Sequence, residues 1–362
     1  MHSLWMEALL INSEATSAPD LRIEKLSAAN AEAIPDFVYR IFGYSYTHAW
    51  LYEPQQIKSF IEEDSQSGFV CVGADGSIKA LLLLTYSFPS REILEIAELL
   101  IDPDLGQPGG GYVLKQFIEA LQAELWHRAD NCGLRTVISL EVTEHQLTQR
   151  LSHHMGFFTA GVFLGYTPGW QRQLRTTPEQ RLTEGTGLHA AGEEGGRRTM
   201  VVSARPFRSK TPPQTLTLPS RFEDLIKKIY KDFRLAHEFI RPQRRGGDGR
   251  FESSVDFIRG RAVIEVREMG ETTPDLLLER LQHFRNGFVD LVHFVLPLSG
   301  DDIDCAVERL SGAGCVFGAV LPQYRDCPVF VMQSVNRAAL APIPRGVLST
   351  RAAEILGDIL PG

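Results

Sequence analysis

Four short stretches of the chain hold residue types that can do chemistry. Between Ile101 and Leu114 the sequence runs Asp102-Pro103-Asp104-Leu105-Gly106-Gln107-Pro108-Gly109-Gly110-Gly111-Tyr112-Val113. A strand that stops at proline and passes through glycines into a helix leaves backbone N–H groups without intrahelical acceptors, at the positive end of the helix dipole. Such a turn suits a pyrophosphate, because glycine has no Cβ to hold the phosphate off the backbone. Just upstream, the apolar run Ile93–Ile101 contains Glu95 and Glu98. A carboxylate inside an apolar strand is costly unless it has a partner, so each is a candidate proton acceptor. Glu98 is favoured as nearer the glycines. Side chains alternate along a strand, so the two are expected on opposite faces. The third stretch, Gly43–Tyr52, contains Tyr44, Tyr46, His48, Trp50 and Tyr52. It reads as a surface that stacks on and hydrogen-bonds a small ligand, or as an aromatic plug packing the two halves together. The fourth, His153-His154, reads as a proton donor or as an exposed pair at a helix end.

The elements that must position these residues follow from periodicity. Leu21–Leu26 alternates as a strand, and helical material is expected over Ala28–Phe42 and Pro54–Glu63. Phe69–Gly73 and Ile78–Tyr86 flank Asp75-Gly76, a hairpin signal. Ile93–Ile101 is a strand. Tyr112–His127 is a helix, with Val113, Phe117, Leu121 and Leu125 on one face. Leu134–Val142 is the next strand, Glu144–Met155 a helix, and Gly156–Leu164 opens another strand. Gln171–Arg198 is poor in apolar residues and reads as a linker. A similar succession then restarts: strands at Thr199–Pro206 and Leu216–Leu218, a helix over Ser220–Phe239, and strands at Phe251–Phe257 and Ala262–Arg267. Helix Pro274–Gly287, strand Leu291–Leu298, helix Asp301–Leu310 and strands Val316–Leu321 and Val329–Val335 follow, with a short tail helix capped by Ser349. Gly156–Val162 overlies Gly314–Val320 at an offset of 158 residues, and Leu134–Leu140 overlies Val292–Leu298 at the same offset.

Ile101, Pro103, Gly109 and Gly111 fall on the pattern V-x-P-x-x-R/Q-x-x-G-x-G/A, and in this respect the chain resembles the GNAT superfamily of acyl-CoA-dependent N-acyltransferases. Gly106 stands where that pattern has Arg or Gln, with Gln107 one residue along. Met155-Gly156-Phe157 and the element order over Leu21–Gly169 are also similar to the superfamily. The resemblance implies acetyl-CoA or another acyl-CoA as co-substrate, bound by Leu100, Ile101, Gln107, Gly109, Gly110, Gly111 and Tyr112. It implies transfer to an amine or peptide at the Tyr44–Tyr52 loop, with Glu98 or Glu95 as base. Many members place a tyrosine acid where this chain has Ser152, which leaves His153 or His154 as the substitute. The expected fold is α/β, a mixed, mostly antiparallel sheet with flanking helices, in two tandem GNAT-like domains. The boundaries are extension 1–19, first domain 20–170, linker 171–198, second domain 199–340 and tail 341–362. Met269–Thr273 offers no glycine cradle, so the second domain is expected to be degenerate and to bind no CoA. Transfer of aminoacyl or long-chain acyl groups from a tRNA or a carrier protein, and acyl-CoA sensing without catalysis, remain alternatives.

Composition narrows the partners. The formal net charge is −8, which argues against a general nucleic-acid binder, yet Arg197–Arg250 holds 14 Lys or Arg against 5 Asp or Glu. That region reads as a solvated basic face or as a docking surface for an anionic partner. The 5 cysteines are scattered without a C-x-x-C pair, so neither a zinc site nor a disulfide framework is expected, and no metal. Cys71 and Cys315 sit in apolar runs as small buried hydrophobes. There is no apolar run long enough to span a membrane and no signal-peptide pattern, so the expected location is cytoplasmic.

Overall fold

The structure is a computed structural model that describes residues 20–63, 66–144, 146–171, 195–240, 247–287, 289–298, 303–344, 346 and 348–360. The expected extension 1–19 and most of the expected linker 171–198 lie outside the described residues. By internal contacts the described chain forms two units. One lies within Met1–Ser87 and Leu94–Leu134, the other within Phe88–Ile93, Arg135–Trp170 and Leu188–Gly362.

In the first unit, β1 (Leu21–Lys25), β2 (Ser67–Gly73), β3 (Ile78–Thr85) and β4 (Ile93–Ile101) pair in that order, all antiparallel. The β2–β3 hairpin turns at Gly76, whose φ of 77° suits glycine, and Asp75 Oδ1 accepts the Ser77 N–H. Helices α1 (Ile34–Phe42) and α2 (Pro54–Glu62) each carry a proline in the first turn, Pro35 and Pro54, where it cannot continue a helix backwards but fits. The helix expected over Ala28–Phe42 is therefore two pieces, a 3-10 turn at Ala28–Asn30 and then α1. Phe37, Val38, Ile41, Leu51, Ile57 and Phe60 pack on Leu81 and Leu83 of β3 to form this unit's core. Ala80, Leu82 and Leu84 are also buried, so β3 is covered on both faces.

After β4 the chain makes a 3-10 turn at Pro103–Leu105 and enters α3 (Gly106–Asn131). This corrects the expected helix start at Tyr112. The glycines lie inside the first turns of the helix, because the Pro103 turn has already set the chain on a helical course. Val113, Phe117, Leu121 and Leu125 are buried, as their spacing requires, and α3 packs on β1 and β2.

In the second unit the strands run β5-β7-β6-β13-β14-β12-β11-β10. They are β5 (Thr136–Val142), β6 (Phe158–Thr167), β7 (Arg198–Pro206), β10 (Arg250–Asp256), β11 (Arg261–Glu268), β12 (Leu291–Pro297), β13 (Val316–Leu321) and β14 (Val329–Val335). Among these strands every described pairing is antiparallel except β11 with β12. Helices α4 (Leu147–His154), α5 (Glu223–Phe233), α6 (Thr273–Asn286), α7 (Asp304–Gly312) and α8 (Thr350–Ile359) flank this sheet, and Ser349 caps α8 by accepting the Ala352 N–H. The helix expected over Ser220–Phe239 stops at Phe233, where Arg234 takes a left-handed φ of 53°. His237–Ile240 is instead β9, parallel to β8 (Gln214–Thr217).

β7 lies between β5 and β6 and pairs with both. A boundary at 199 would thus cut a strand away from its two neighbours.

Candidate functional site

Strand β4 does not alternate regularly. Its register against β3 slips between Leu83 and Leu84, so that Glu98 faces Leu83 while Ile96 faces Leu84 and Glu95 faces Thr85. One extra residue, Ala97, is accommodated there as a β-bulge. A bulge resets the parity of the strand. Leu83 and Thr85, two residues apart, share a face, and so do their partners Glu98 and Glu95. The expected placement of these carboxylates on opposite faces is corrected accordingly. The shared face is that of α1 and α2, since Leu83 belongs to their core.

Glu98 is buried, and its Oε1 lies 3.1 Å from Nδ1 of His48. The two are far apart in sequence, and the Gly43–Tyr52 loop brings His48 to the strand. Gly43 ends α1 with a φ of 59°. Tyr52 Oη donates to the Gly43 carbonyl at 2.6 Å and accepts the Tyr46 N–H at 3.1 Å, drawing the two ends of the loop together. Burial, with Tyr44 beside it, pushes the Tyr52 hydroxyl up to about 12, so it stays a neutral donor. Tyr46 is buried against Phe42, with ring centroids 4.3 Å apart. Tyr44 is 82% exposed and stacks edge-on with Tyr39. Of the five ring residues, two therefore build the loop, one stands in solvent, and His48 and Trp50 line a cleft.

That cleft has a volume of about 580 Å³. The sequence reading missed most of its wall. Gln55, Gln56, Ser59 and Phe60 come from α2, Glu63 and Gln66 follow that helix, and Thr85, Tyr86 and Ser87 come from the end of β3. Polar residues at helical spacing read as a solvated face, so of this wall the sequence pointed only to His48 and Trp50. Trp50 stacks on Phe60 with centroids 4.7 Å apart and planes 23° from parallel.

Glu95 is partly buried on the same side of the sheet, across from Thr85. Beyond β4, Asp102 is buried and shapes the entry to α3. It accepts Arg40 Nη1 at 2.9 Å and the Asp104 N–H at 3.0 Å, and Arg40 also donates to the Ile78 carbonyl. Neither residue was expected from sequence. Leu100 is buried, and Ile101 and Tyr112 are partly buried. Gln107 and Gly109 fall in the first turn of α3, where side-chain placement lies outside the described residues. No side chain caps α3. A Cβ at Gly111 would meet nothing within 4 Å, and one at Gly110 would meet only Ile101, at 4.0 Å. Packing within the chain does not ask for glycine at these two positions.

In the second unit His153 and His154 are exposed at the end of α4. The buried groups beside them are Ser152 and Glu141 of β5, whose carboxyl is hydrogen-bonded to Ser152 and to Ser203 of β7. Burial outweighs those two hydrogen bonds and pushes Glu141 up to about 8.

The start of α6 differs from that of α3. A Cβ at Gly270 would overlap the Gly249 nitrogen, the Gly270 N–H is donated to Thr273 Oγ1 at 2.8 Å, and the Glu271 N–H is donated to the Gly247 carbonyl at 3.1 Å. The chain's own segment occupies that approach.

Comparison of the sequence with family models and with curated proteins finds no match. Solved structures do match. Acetyltransferases are among the solved structures it resembles. An acetyltransferase of the GNAT family from Streptococcus pneumoniae is 17% identical, with a TM-score of 0.36, over 52% of this chain and 100% of that one. A GCN5-related N-acetyltransferase from Kribbella flavida is 18% identical, with a TM-score of 0.35, over 53% and 100%. A GNAT superfamily phosphinothricin acetyltransferase from Sinorhizobium meliloti, in complex with AcCoA, is 14% identical, with a TM-score of 0.34, over 52% and 88%.

Proposed function

We propose that this chain is a GNAT-type enzyme that moves an acyl group from an acyl-CoA thioester to an amine. The observation that carries this reading is the Glu98–His48 pair at the cleft, set on a bulged strand whose far end leads into the glycine start of α3. With Nδ1 facing a carboxylate, the imidazole carries its proton there and presents Nε2 as a base. Nε2 removes a proton from the acceptor's nitrogen, and that nitrogen attacks the thioester carbonyl. The C–N bond forms, the C–S bond breaks, and the thiolate leaves and takes up a proton. Glu98 holds the ring and favours the imidazolium formed on the way.

The donor's pyrophosphate suits the first turns of α3. Backbone N–H groups and the helix dipole face it there, and Gly110 and Gly111 leave space that no neighbouring side chain uses. By the same test the start of α6 does not fit, being filled by Gly249 and its neighbours. The second half is read as a GNAT-like copy without a donor site.

Incubation with acetyl-CoA and a panel of amines and peptides, with free thiol measured, tests the reading. Thiol release that depends on the acceptor and drops about 10²–10⁴-fold in His48→Ala is expected. Tight acetyl-CoA binding without release for any acceptor would instead indicate a sensor.

A further inference from the structure

The cleft beside His48 has a charge character of its own. Resting on the acyl-transfer reading above, we infer that its acceptor is an aliphatic amine carrying a second positive charge, such as an α,ω-diamine, and not an amino acid or a neutral monoamine. Four observations converge on this. Among the described residues lining the cleft there is no Lys or Arg, and Glu63 is the one carboxylate. Glu63 follows α2 directly and donates its own N–H to the Ser59 carbonyl, so it sits where the last carbonyls of the helix concentrate the negative end of the dipole. Gln66 Nε2 donates to Glu63 Oε2 at 2.6 Å, which holds the carboxylate in place. The stacked Trp50–Phe60 pair supplies aromatic faces, which attract ammonium groups and shed carboxylates.

Two cations on neighbouring elements are paired with other groups. Arg128 lies behind Tyr86, donating to the Tyr86 hydroxyl at 3.1 Å, to Glu124 at 2.8 Å and to Ser67 at 2.8 Å. Lys58 of α2 is paired with Glu32 at 2.6 Å. The Gln55, Gln56 and Gln66 amides add dipoles without net charge. A volume of about 580 Å³ accommodates an extended aliphatic chain with one nitrogen at His48 and the other at the Trp50–Glu63 wall.

Three probes on one four-carbon skeleton test this: 1,4-diaminobutane, butylamine and 4-aminobutanoate, whose far ends are positive, neutral and negative. Binding is measured by calorimetry without donor, and kcat/KM by thiol release with acetyl-CoA. The diamine should bind at least about 10-fold more tightly than butylamine, with 4-aminobutanoate weakest. That preference should shrink at high salt. Glu63→Gln and Trp50→Leu should each reduce the diamine-to-butylamine ratio of kcat/KM by about 5–10-fold, with melting temperatures measured to confirm folding. Equal binding and turnover of diamine and butylamine, or a ratio that neither variant changes, would overturn the inference while leaving acyl transfer intact. Selective diamine binding with no thiol release from any probe would do the reverse, sinking the chemistry and keeping the cation site.

Discussion

Glu98 and Glu141 are both buried carboxylates, but they differ in their partners. Glu98 has an imidazole at 3.1 Å, and the pair makes sense as a base with its positioning group. If so, Glu98→Gln should cost less than His48→Ala, because the amide oxygen can still accept from Nδ1. Losing the charge that favours the imidazolium should also move the acidic limb of the kcat/KM profile to lower pH. An unchanged profile with a normal fold would reduce Glu98 to a packing residue. Glu141 lies against the Ser152 and Ser203 hydroxyls, its Oε1 is buried without a hydrogen-bond partner among the described residues, and burial pushes it up to about 8. Its unfolded-state value is near 4.5. Between those two pH values the folded chain holds a proton that the unfolded chain has released. Stability therefore falls as pH rises from about 4.5 to about 8, then stops depending on this group. Glu141→Gln should flatten that slope and melt above the wild type at pH 8, with no such advantage at pH 4.5. Parallel melting curves for the two proteins from pH 4.5 to 8 would show that Glu141 is not the titrating group.

At the scale of elements, the glycines of α3 stood out in the sequence while their place inside the helix did not. Glycine and proline lower helix propensity, so Gly106–Gly111 reads as a loop. The Pro103–Leu105 turn, shaped by Asp102 and Arg40, overrides that preference through contacts distant in sequence. The bulge at Ala97 was invisible for a similar reason, because it exists only in the register with β3. Hydrophobic periodicity did find β1 to β4, the buried face of α3 and the cap at Ser349, since each depends on local pattern alone. The contrast between two glycines gives a prediction. Gly111→Ala adds a Cβ to open space in a helix and should stabilise the free protein by about 0.5–1 kcal/mol while weakening acetyl-CoA binding. Gly270→Ala drives a Cβ into the Gly249 backbone and should destabilise without touching the donor site. Thermal melts and acetyl-CoA titrations of both variants check this. Stabilisation of Gly111→Ala with unchanged affinity would remove α3 from the donor site.

At the scale of the whole chain, the offset of 158 residues has a structural counterpart within the second unit. The strand order β5-β7-β6 recurs as β12-β14-β13, with α4 between β5 and β6 and α7 between β12 and β13 along the chain. The two sets meet where Gly161 pairs antiparallel with Ala319, residues 158 apart, so each strand touches its own counterpart. An antiparallel contact between equivalent positions is what a local two-fold relation produces. It demands close approach, since a Cβ at Gly161 would overlap the Gly318 carbonyl. This echo was only partly readable, because β7 follows a long segment after β6 and so looks like the opening of a new domain. The basic stretch Arg197–Arg250 thins out on folding as well: Arg197 is buried, donating to the Gly165 carbonyl and facing Asp290, and Arg208 donates to the Phe233 carbonyl. If the copies derive from one plan but only the first keeps an open glycine helix start, titration with acetyl-CoA should saturate at one equivalent per chain. Gly111→Glu should abolish that binding by placing bulk and negative charge in the donor's path. Gly270→Ala, once corrected for any unfolded fraction, should leave it at one. Two equivalents in the wild type, or one that survives Gly111→Glu, would place a donor in the second half and overturn the division of labour.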